Sequence, residues 1–84
     1  MYEFKINELV YYDSLRGLVK GKIIDKYWAN DFTLTPSSLK FTIQVTSLNH
    51  SVYRKGDIIE TSYNWVIPRK AVYISSGQYR IKAY

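Results

Sequence analysis

The chain has 84 residues, a net charge of +5 at pH 7, nine tyrosines, two tryptophans, three phenylalanines and no cysteine. That length has room for one hydrophobic core, in which large rings must supply much of the volume, and the lack of cysteine excludes disulfides and thiolate metal sites. An acid, Glu3, stands where a secretion signal needs a basic start, and no purely apolar run exceeds four residues, against about 20 for a membrane span. We therefore expect a single cytoplasmic domain over residues 1–84.

The first elements predicted along the chain are two strands that form a hairpin. Residues 8–12 predict a short strand, 13–17 a turn, and 18–28 a long second strand. The alternation of the long strand breaks after Ile23, and Gly21 permits a bulge or a sharp bend. A bent long strand is what a small barrel needs at its corner.

The next element is a regular strand over residues 39–46. Its apolar positions alternate with polar ones, the period of a half-buried strand, and they are Leu39, Phe41, Ile43 and Val45. Loops are predicted on either side, over residues 30–38 and 49–57.

A second alternating stretch runs over residues 59–67 and stops at Pro68. Because proline lacks an N–H and presets φ, residues 67–70 predict a turn with proline at its second position.

The end of the chain predicts a hairpin with a four-residue loop over residues 75–78. This register gives the hairpin one apolar side, whereas a three-residue loop would set apolar against polar residues. The pairs expected are Ile74 with Tyr79 and Val72 with Ile81 on that side, and Tyr73 with Arg80 and Ala71 with Lys82 on the outer face.

Five or six short strands, tight turns and no stretch of helical period predict an all-β fold. The alternatives are a small barrel and an open, strongly bent antiparallel sheet. The residues expected in the core are Leu9, Val19, Ile23, Leu39, Phe41, Ile43, Val45, Trp65, Val72 and Ile74.

Two segments resemble the SH3-like barrels, including the Tudor, KOW and CarD polymerase-interacting types. Residues 4–12 followed by 17–24 are similar to their first hairpin, in which a hydrophobic strand, a glycine-containing turn and a G-x-V-x-G-x-I strand follow one another. Residues 65–72 resemble the proline turn before their last strand. The resemblance implies an SH3-like barrel with a binding function, but it does not assign any residue to a ligand. Because such barrels bind proteins and nucleic acids alike, it does not choose between these partners.

No pattern in the chain predicts catalysis, a metal or a cofactor. His50 is the single histidine and lies in a polar loop without a local nucleophile signature. Asp57 and Glu60 have odd spacing on a strand-like segment, which sends their side chains to opposite faces. One histidine and scattered carboxylates do not form a cluster of metal ligands.

The excess charge lies in the second half, where seven basic residues face two acids, while basic and acidic residues cancel over residues 1–39. The candidate binding residues there are basic or aromatic: Tyr53, Arg54, Lys55, Arg69, Lys70, Tyr73, Arg80 and Lys82. Such side chains suit phosphate contacts with base stacking, and they are equally the anchors of protein interfaces. Two hypotheses therefore stay open: a module that binds nucleic acid or a nucleic-acid-associated complex, and a protein–protein adaptor or inhibitor.

Overall fold

The computed structural model describes residues 2–29 and 35–81. Their strands are β1 (Leu9–Ser14), β2 (Gly17–Trp28), β3 (Leu39–Val45), β4 (Ile58–Ser62), β5 (Val66–Pro68), β6 (Ala71–Ser75) and β7 (Gln78–Ile81). Short 3₁₀ turns cover Pro36–Ser38 and Tyr63–Trp65. The predicted loop over residues 30–38 lies partly outside the described residues.

The strands form an antiparallel sheet in the order β4-β3-β2-β1-β5 and a separate two-stranded sheet of β6 and β7. The fold is thus all-β, as predicted. Within the described residues the edge strands β4 and β5 do not pair, so the larger sheet is open and not a closed barrel. The 3₁₀ turn at Tyr63–Trp65 carries the chain from one edge to the other. No helix in the described part of the chain is long and apolar enough to cross a membrane.

The first hairpin forms because its turn satisfies its own backbone groups. The Ser14 hydroxyl donates to the carbonyl of Gly17 at 2.6 Å and accepts from the Arg16 amide at 3.1 Å. Gly17 has φ 99°, a left-handed conformation that favours glycine. The resulting register places Tyr12 opposite Val19.

The long strand β2 contains a bulge at Ile24, at the point where the alternation of the sequence breaks, while its pairing at Gly21 is regular. The register with β3 shifts between Ile23 and Asp25. Gly21 has a different role, because a Cβ at this position would collide with the Cγ2 methyl of Ile43. The glycine thus allows close approach of β2 and β3.

The core lies on one face of the larger sheet. Strand β3 covers Leu39–Val45 of the predicted stretch, and its residues Phe41, Ile43 and Val45 are buried as predicted. Phe41 meets the ring of Phe4 edge-on at a centroid distance of 5.3 Å. Tyr63 packs on Phe4 in the same manner at 5.5 Å. The buried apolar residues of the core clusters are Phe4, Val10, Val19, Ile23, Phe41, Ile43, Val45, Ile59 and Val66. Ile67 is also buried, but it pairs with Tyr11 on the opposite face and belongs to neither cluster.

Three residues predicted to be in the core are exposed. Leu9 is 49% exposed, because β1 turns its neighbour Val10 inward to face Gly21. Trp65 is 40% exposed, because the 3₁₀ turn interrupts the alternation of residues 59–67. Ile74 is 58% exposed at a bulge. The predicted core residues Leu39 and Val72 are half-buried.

The register predicted for the last hairpin is wrong. The observed pairs are Ala71 with Ile81, Val72 with Arg80, Tyr73 with Tyr79 and Ser75 with Gln78. A bulge between Tyr73 and Ser75 replaces the four-residue loop by a tight turn at residues 76–77, where Gly77 has φ 72°. The Gly77 amide donates to the carboxylate of Asp13 at 2.6 Å and so ties this hairpin to β1.

Candidate functional site

A group of basic and apolar side chains lies on the face of the larger sheet that points away from the core. Residues opposite each other on antiparallel strands share a face. The register pairs Leu9 with Lys22 and Tyr11 with Lys20. In β1, Leu9 and Tyr11 stand on either side of the buried Val10, so they and their partners lie on the face opposite to the core. Two lysines of β2 therefore flank the tyrosine of β1.

Arg69 adds a third cation to this face. It follows β5, in which Ile67 pairs with Tyr11. Its guanidinium carbon lies 4.9 Å from the centroid of the Tyr11 ring, and its Nε donates to the carbonyl oxygen of Val10 at 3.4 Å. This is the geometry of a cation–π contact. We call Leu9, Tyr11, Lys20, Lys22 and Arg69 the basic sheet face.

Most carboxylates of the described residues are engaged with the backbone. Four of them accept hydrogen bonds from backbone amides: Glu8 from Lys5, Asp13 from Gly77, Asp25 from Lys26 and Asp57 from Arg54. In the described ranges, 2–29 and 35–81, no carboxylate forms an ion pair with a lysine or arginine. The positive charges of the basic sheet face are thus not neutralised by direct contact with an acid.

Acidic residues bound this positive region on one side. Asp25 pairs with Thr42, which pairs with Glu60, so the two acids share a row across the outer face next to Lys22. Lys40 lies beyond that row, opposite Tyr27. On the other side, Asp13 pairs with Leu18 in the row after Tyr11 and Lys20, but its carboxylate is buried and accepts from the Gly77 amide. The positive charges of the basic sheet face therefore lie between these two acidic rows.

A groove of about 540 Å³ opens beside Lys20. Its walls come from β1, β2 and the loop over residues 46–50, and they contain Tyr11, Leu18, Lys20, Thr46, Ser47, Leu48, Asn49 and His50. None of these lining residues is acidic. Leu48 is 76% exposed, so its side chain contributes little to the core.

Both ends of the 46–50 loop are fixed by hydrogen bonds. At its start, the backbone amides of Thr46 and Ser47 donate to the carbonyl of Lys20 at 2.9 and 3.2 Å. At its end, Nδ1 of His50 accepts from the amides of Val52 and Tyr53 at 3.1 and 3.2 Å. The loop that forms this wall of the groove is therefore held in one position by the fold.

His50 holds this loop through both nitrogens of its ring. Its Nε2 lies 3.1 Å from the carbonyl oxygen of Arg16, so with Nδ1 accepting, Nε2 carries the proton and donates. Both ring nitrogens thus hold backbone groups. The described residues also contain no group of three or more histidines and carboxylates that could hold a metal ion.

The candidate residues predicted from the sequence do not form one surface. Tyr53 is half-buried, and its ring meets that of Tyr12 edge-on at 6.0 Å. Arg54 and Lys55 are exposed in the turn before β4. Of the eight, Arg69 alone belongs to the basic sheet face.

The remaining predicted residues lie around the β6–β7 hairpin. The ammonium group of Lys70 lies 5.3 Å from the centroid of the Tyr2 ring. Tyr73 and Arg80 are exposed on the two-stranded sheet. Lys82 lies outside the described residues.

A second groove, of about 370 Å³, has a more aromatic lining. Its walls contain Tyr2, Glu3, Phe4, Lys26, Tyr27, Trp28 and Leu39. Burial raises the pKa of Tyr2 to about 12, and the hydrogen bond from its hydroxyl to Glu8, 2.7 Å long, adds to the shift. Burial also raises the pKa of Tyr79, with a contribution from its hydrogen bond with Tyr63.

Comparison with protein-family models, with curated proteins and with solved structures finds no match to the chain. Its function is therefore argued from the geometry of its own residues.

Proposed function

We propose that the chain is a non-catalytic binding module whose basic sheet face engages nucleic acid or a nucleic-acid-associated complex. The observation that carries the proposal is the arrangement around Tyr11. Lys20 lies opposite this ring and Arg69 lies over it, and neither cation is paired with an acid in the described part of the chain.

Unpaired cations beside a ring suit the chemistry of a nucleic acid strand. Lysine and arginine neutralise phosphates and release the counterions condensed on them, which supplies sequence-independent affinity. Tyrosine offers a surface on which bases stack, and that contribution tolerates any base. A face with both groups needs no catalytic residue to perform this function.

The fold supports a related proposal, that the chain is an SH3-like domain. The resemblance of residues 4–12, 17–24 and 65–72 supports this proposal, as does a sheet in the order β4-β3-β2-β1-β5 with a 3₁₀ turn between β4 and β5. The unpaired edges depart from a closed barrel. A cytoplasmic location remains part of the proposal.

The salt dependence of binding tests the proposed function. For a labelled oligonucleotide, the logarithm of affinity should fall against the logarithm of salt concentration with a slope of about −0.7 per phosphate contact for a single strand or about −0.9 for a duplex. Replacing Lys20 and Lys22 together by glutamine should reduce the magnitude of the slope by about 1.4–1.8.

Lys40→Gln is the matched control, because Lys40 lies on the same outer face beyond the row of Asp25 and Glu60. It should leave the slope unchanged. Absence of binding at about 50 mM salt, or a slope that ignores the double substitution, would remove the proposal.

The aromatic groove favours the second candidate function, a protein–protein adaptor. Trp28 and Tyr27 are exposed there, and tryptophan and tyrosine are the usual anchors of interfaces. In that case Trp28→Ala should weaken binding of a partner protein by about 2 kcal/mol or more with little change in salt slope. A partner that co-purifies with the wild type and is lost with Trp28→Ala would select this function.

A further inference from the structure

We infer that the groove beside Lys20 takes an unpaired nucleobase, so that the ligand of the basic sheet face is a single strand. This inference rests on the proposed function and names its substrate class. It starts from Leu48, a large apolar side chain that is 76% exposed on a loop held at both ends.

The groove has the lining that a base requires. Leu48 and Tyr11 supply apolar surface for the faces of a flat ring, and the amide of Asn49 carries both donors and acceptors for its edge. The volume of about 540 Å³ lies in the range of small-molecule pockets. A base therefore fits the groove in size and in chemistry.

The charges around the groove suit the phosphates that flank such a base. Lys20 lines the groove, and Lys22 follows it by two residues on the same face of β2. Arg69 lies over the ring of Tyr11. The lining contains no carboxylate that would repel a phosphate. The strand can thus follow the basic sheet face while one of its bases enters the groove.

A duplex cannot use this groove. In a double helix each base is paired and covered on both faces by its neighbours, and taking one out costs a few kcal/mol. In a single strand the bases are free to splay out and stack on protein side chains. Base insertion therefore predicts a preference for single strands that charge alone would not produce.

The test compares three labelled ligands of equal length: a thymine oligonucleotide, an abasic deoxyribose-phosphate strand and a duplex. The wild type should bind the thymine strand at least about fivefold more tightly than the abasic strand, the low end of the contribution of one stacked base. Leu48→Ala should remove most of that difference and leave affinity for the abasic strand unchanged.

Leu48→Trp gives a result that unfolding cannot mimic, because a larger ring should strengthen binding of the thymine strand and not of the abasic one. Ile74→Ala is the matched control, since Ile74 is also exposed but lies on the two-stranded sheet. It should leave all three affinities unchanged.

Failure of base insertion and failure of the proposed function would give different results. Equal binding of thymine and abasic strands, unaffected by either Leu48 substitution, overturns base insertion while the proposed function stands. No binding of any of the three at about 50 mM salt overturns both. Binding of polyglutamate as tight as that of the thymine strand overturns the inference in favour of an acidic protein partner.

Discussion

The guanidinium of Arg69 lies 4.9 Å from the centre of the Tyr11 ring and so joins the turn after β5 to the outer face of β1. The same side chain reaches the carbonyl oxygen of Val10 through its Nε. Arg69 thus has two separable roles, one in holding β5 against β1 and one as a charge on the basic sheet face.

Substitution of Arg69 should separate these roles. Arg69→Lys keeps the charge but loses the planar group over Tyr11, so the free energy of unfolding should fall by about 0.5–1 kcal/mol while the salt slope of oligonucleotide binding stays the same. Arg69→Gln should lower both quantities, the slope by about 0.7–0.9 in magnitude. Urea denaturation and binding titrations measure them. An unchanged slope in Arg69→Gln would exclude a phosphate contact.

Phe41 and Leu9 provide a test of which face is the core. Phe41 is fully buried against Phe4, so Phe41→Ala should cost about 3–5 kcal/mol, enough to unfold a domain of this size. Leu9 is half-exposed, so Leu9→Ala should cost about 0.5 kcal/mol. Thermal melting of the two variants measures the difference. Equal effects would contradict the observed register of β1.

Gly21 should resist even the smallest side chain. In Gly21→Ala the new methyl group would meet Cγ2 of Ile43, and such overpacking costs about 1–3 kcal/mol. In an Ile43→Ala background the added methyl enters the space left by the isoleucine. The double variant should therefore be more stable than the sum of the single effects by about 1 kcal/mol, within the range found for contacting pairs. Simple additivity would mean that the two positions do not touch.

Asp13 should control the attachment of the last hairpin. This carboxylate is 4% exposed and accepts the amide of Gly77 at 2.6 Å. Asp13→Ala should lower the free energy of unfolding by about 1.5–3 kcal/mol, the usual worth of a hydrogen bond to a charged group. Asp13→Asn retains an acceptor oxygen and should lose less. Hydrogen exchange at the Gly77 amide reports the bond directly, and unchanged protection in Asp13→Ala would show that the hairpin is held by other contacts.

The pKa of Tyr2, raised to about 12 by burial and by Glu8, implies loss of stability in alkali. The folded protein holds the phenol proton more tightly than the unfolded chain, whose tyrosine titrates near 10. The contribution is therefore fully present below pH 10 and is lost as pH rises from about 10 to about 12. Glu8→Gln removes the negative charge, so near-ultraviolet phenolate absorbance should show Tyr2 titrating at lower pH than in the wild type. The same titration in both proteins would exclude Glu8 as a cause.

Regular alternation made part of the fold predictable from the sequence. Residues 39–46 have the period of a half-buried strand without interruption, and β3 covers Leu39–Val45 of them. Bulges and 3₁₀ turns are different, because each changes the phase of the alternation without a distinctive residue to mark it. The turn at Tyr63–Trp65 and the bulge at Ile74 each displaced a prediction, whereas the bulge at Ile24 lies where the alternation breaks in the sequence.

The candidate site was only partly predictable, because the distribution of charge along the chain does not show which residues adjoin across strands. Lys20 and Lys22 fall in the half where acids and bases cancel in number, yet they share one face of β2. The signal was present in their spacing of two and in the hairpin turn at Gly17, which fixes Lys20 opposite Tyr11. Arg69 was identified by its charge, but its place over Tyr11 depends on the pairing of β5 with β1.

Acidic and basic side chains have different roles in this domain, and this difference determines how the basic sheet face can change. Four carboxylates support the backbone through its amides, while Lys20 and Lys22 hold no part of the fold in place through their ammonium groups. Substitutions at these two positions can therefore alter what the surface attracts without weakening the scaffold beneath it. The ligand preference of this domain can therefore change, by evolution or by design, without a loss of thermal stability.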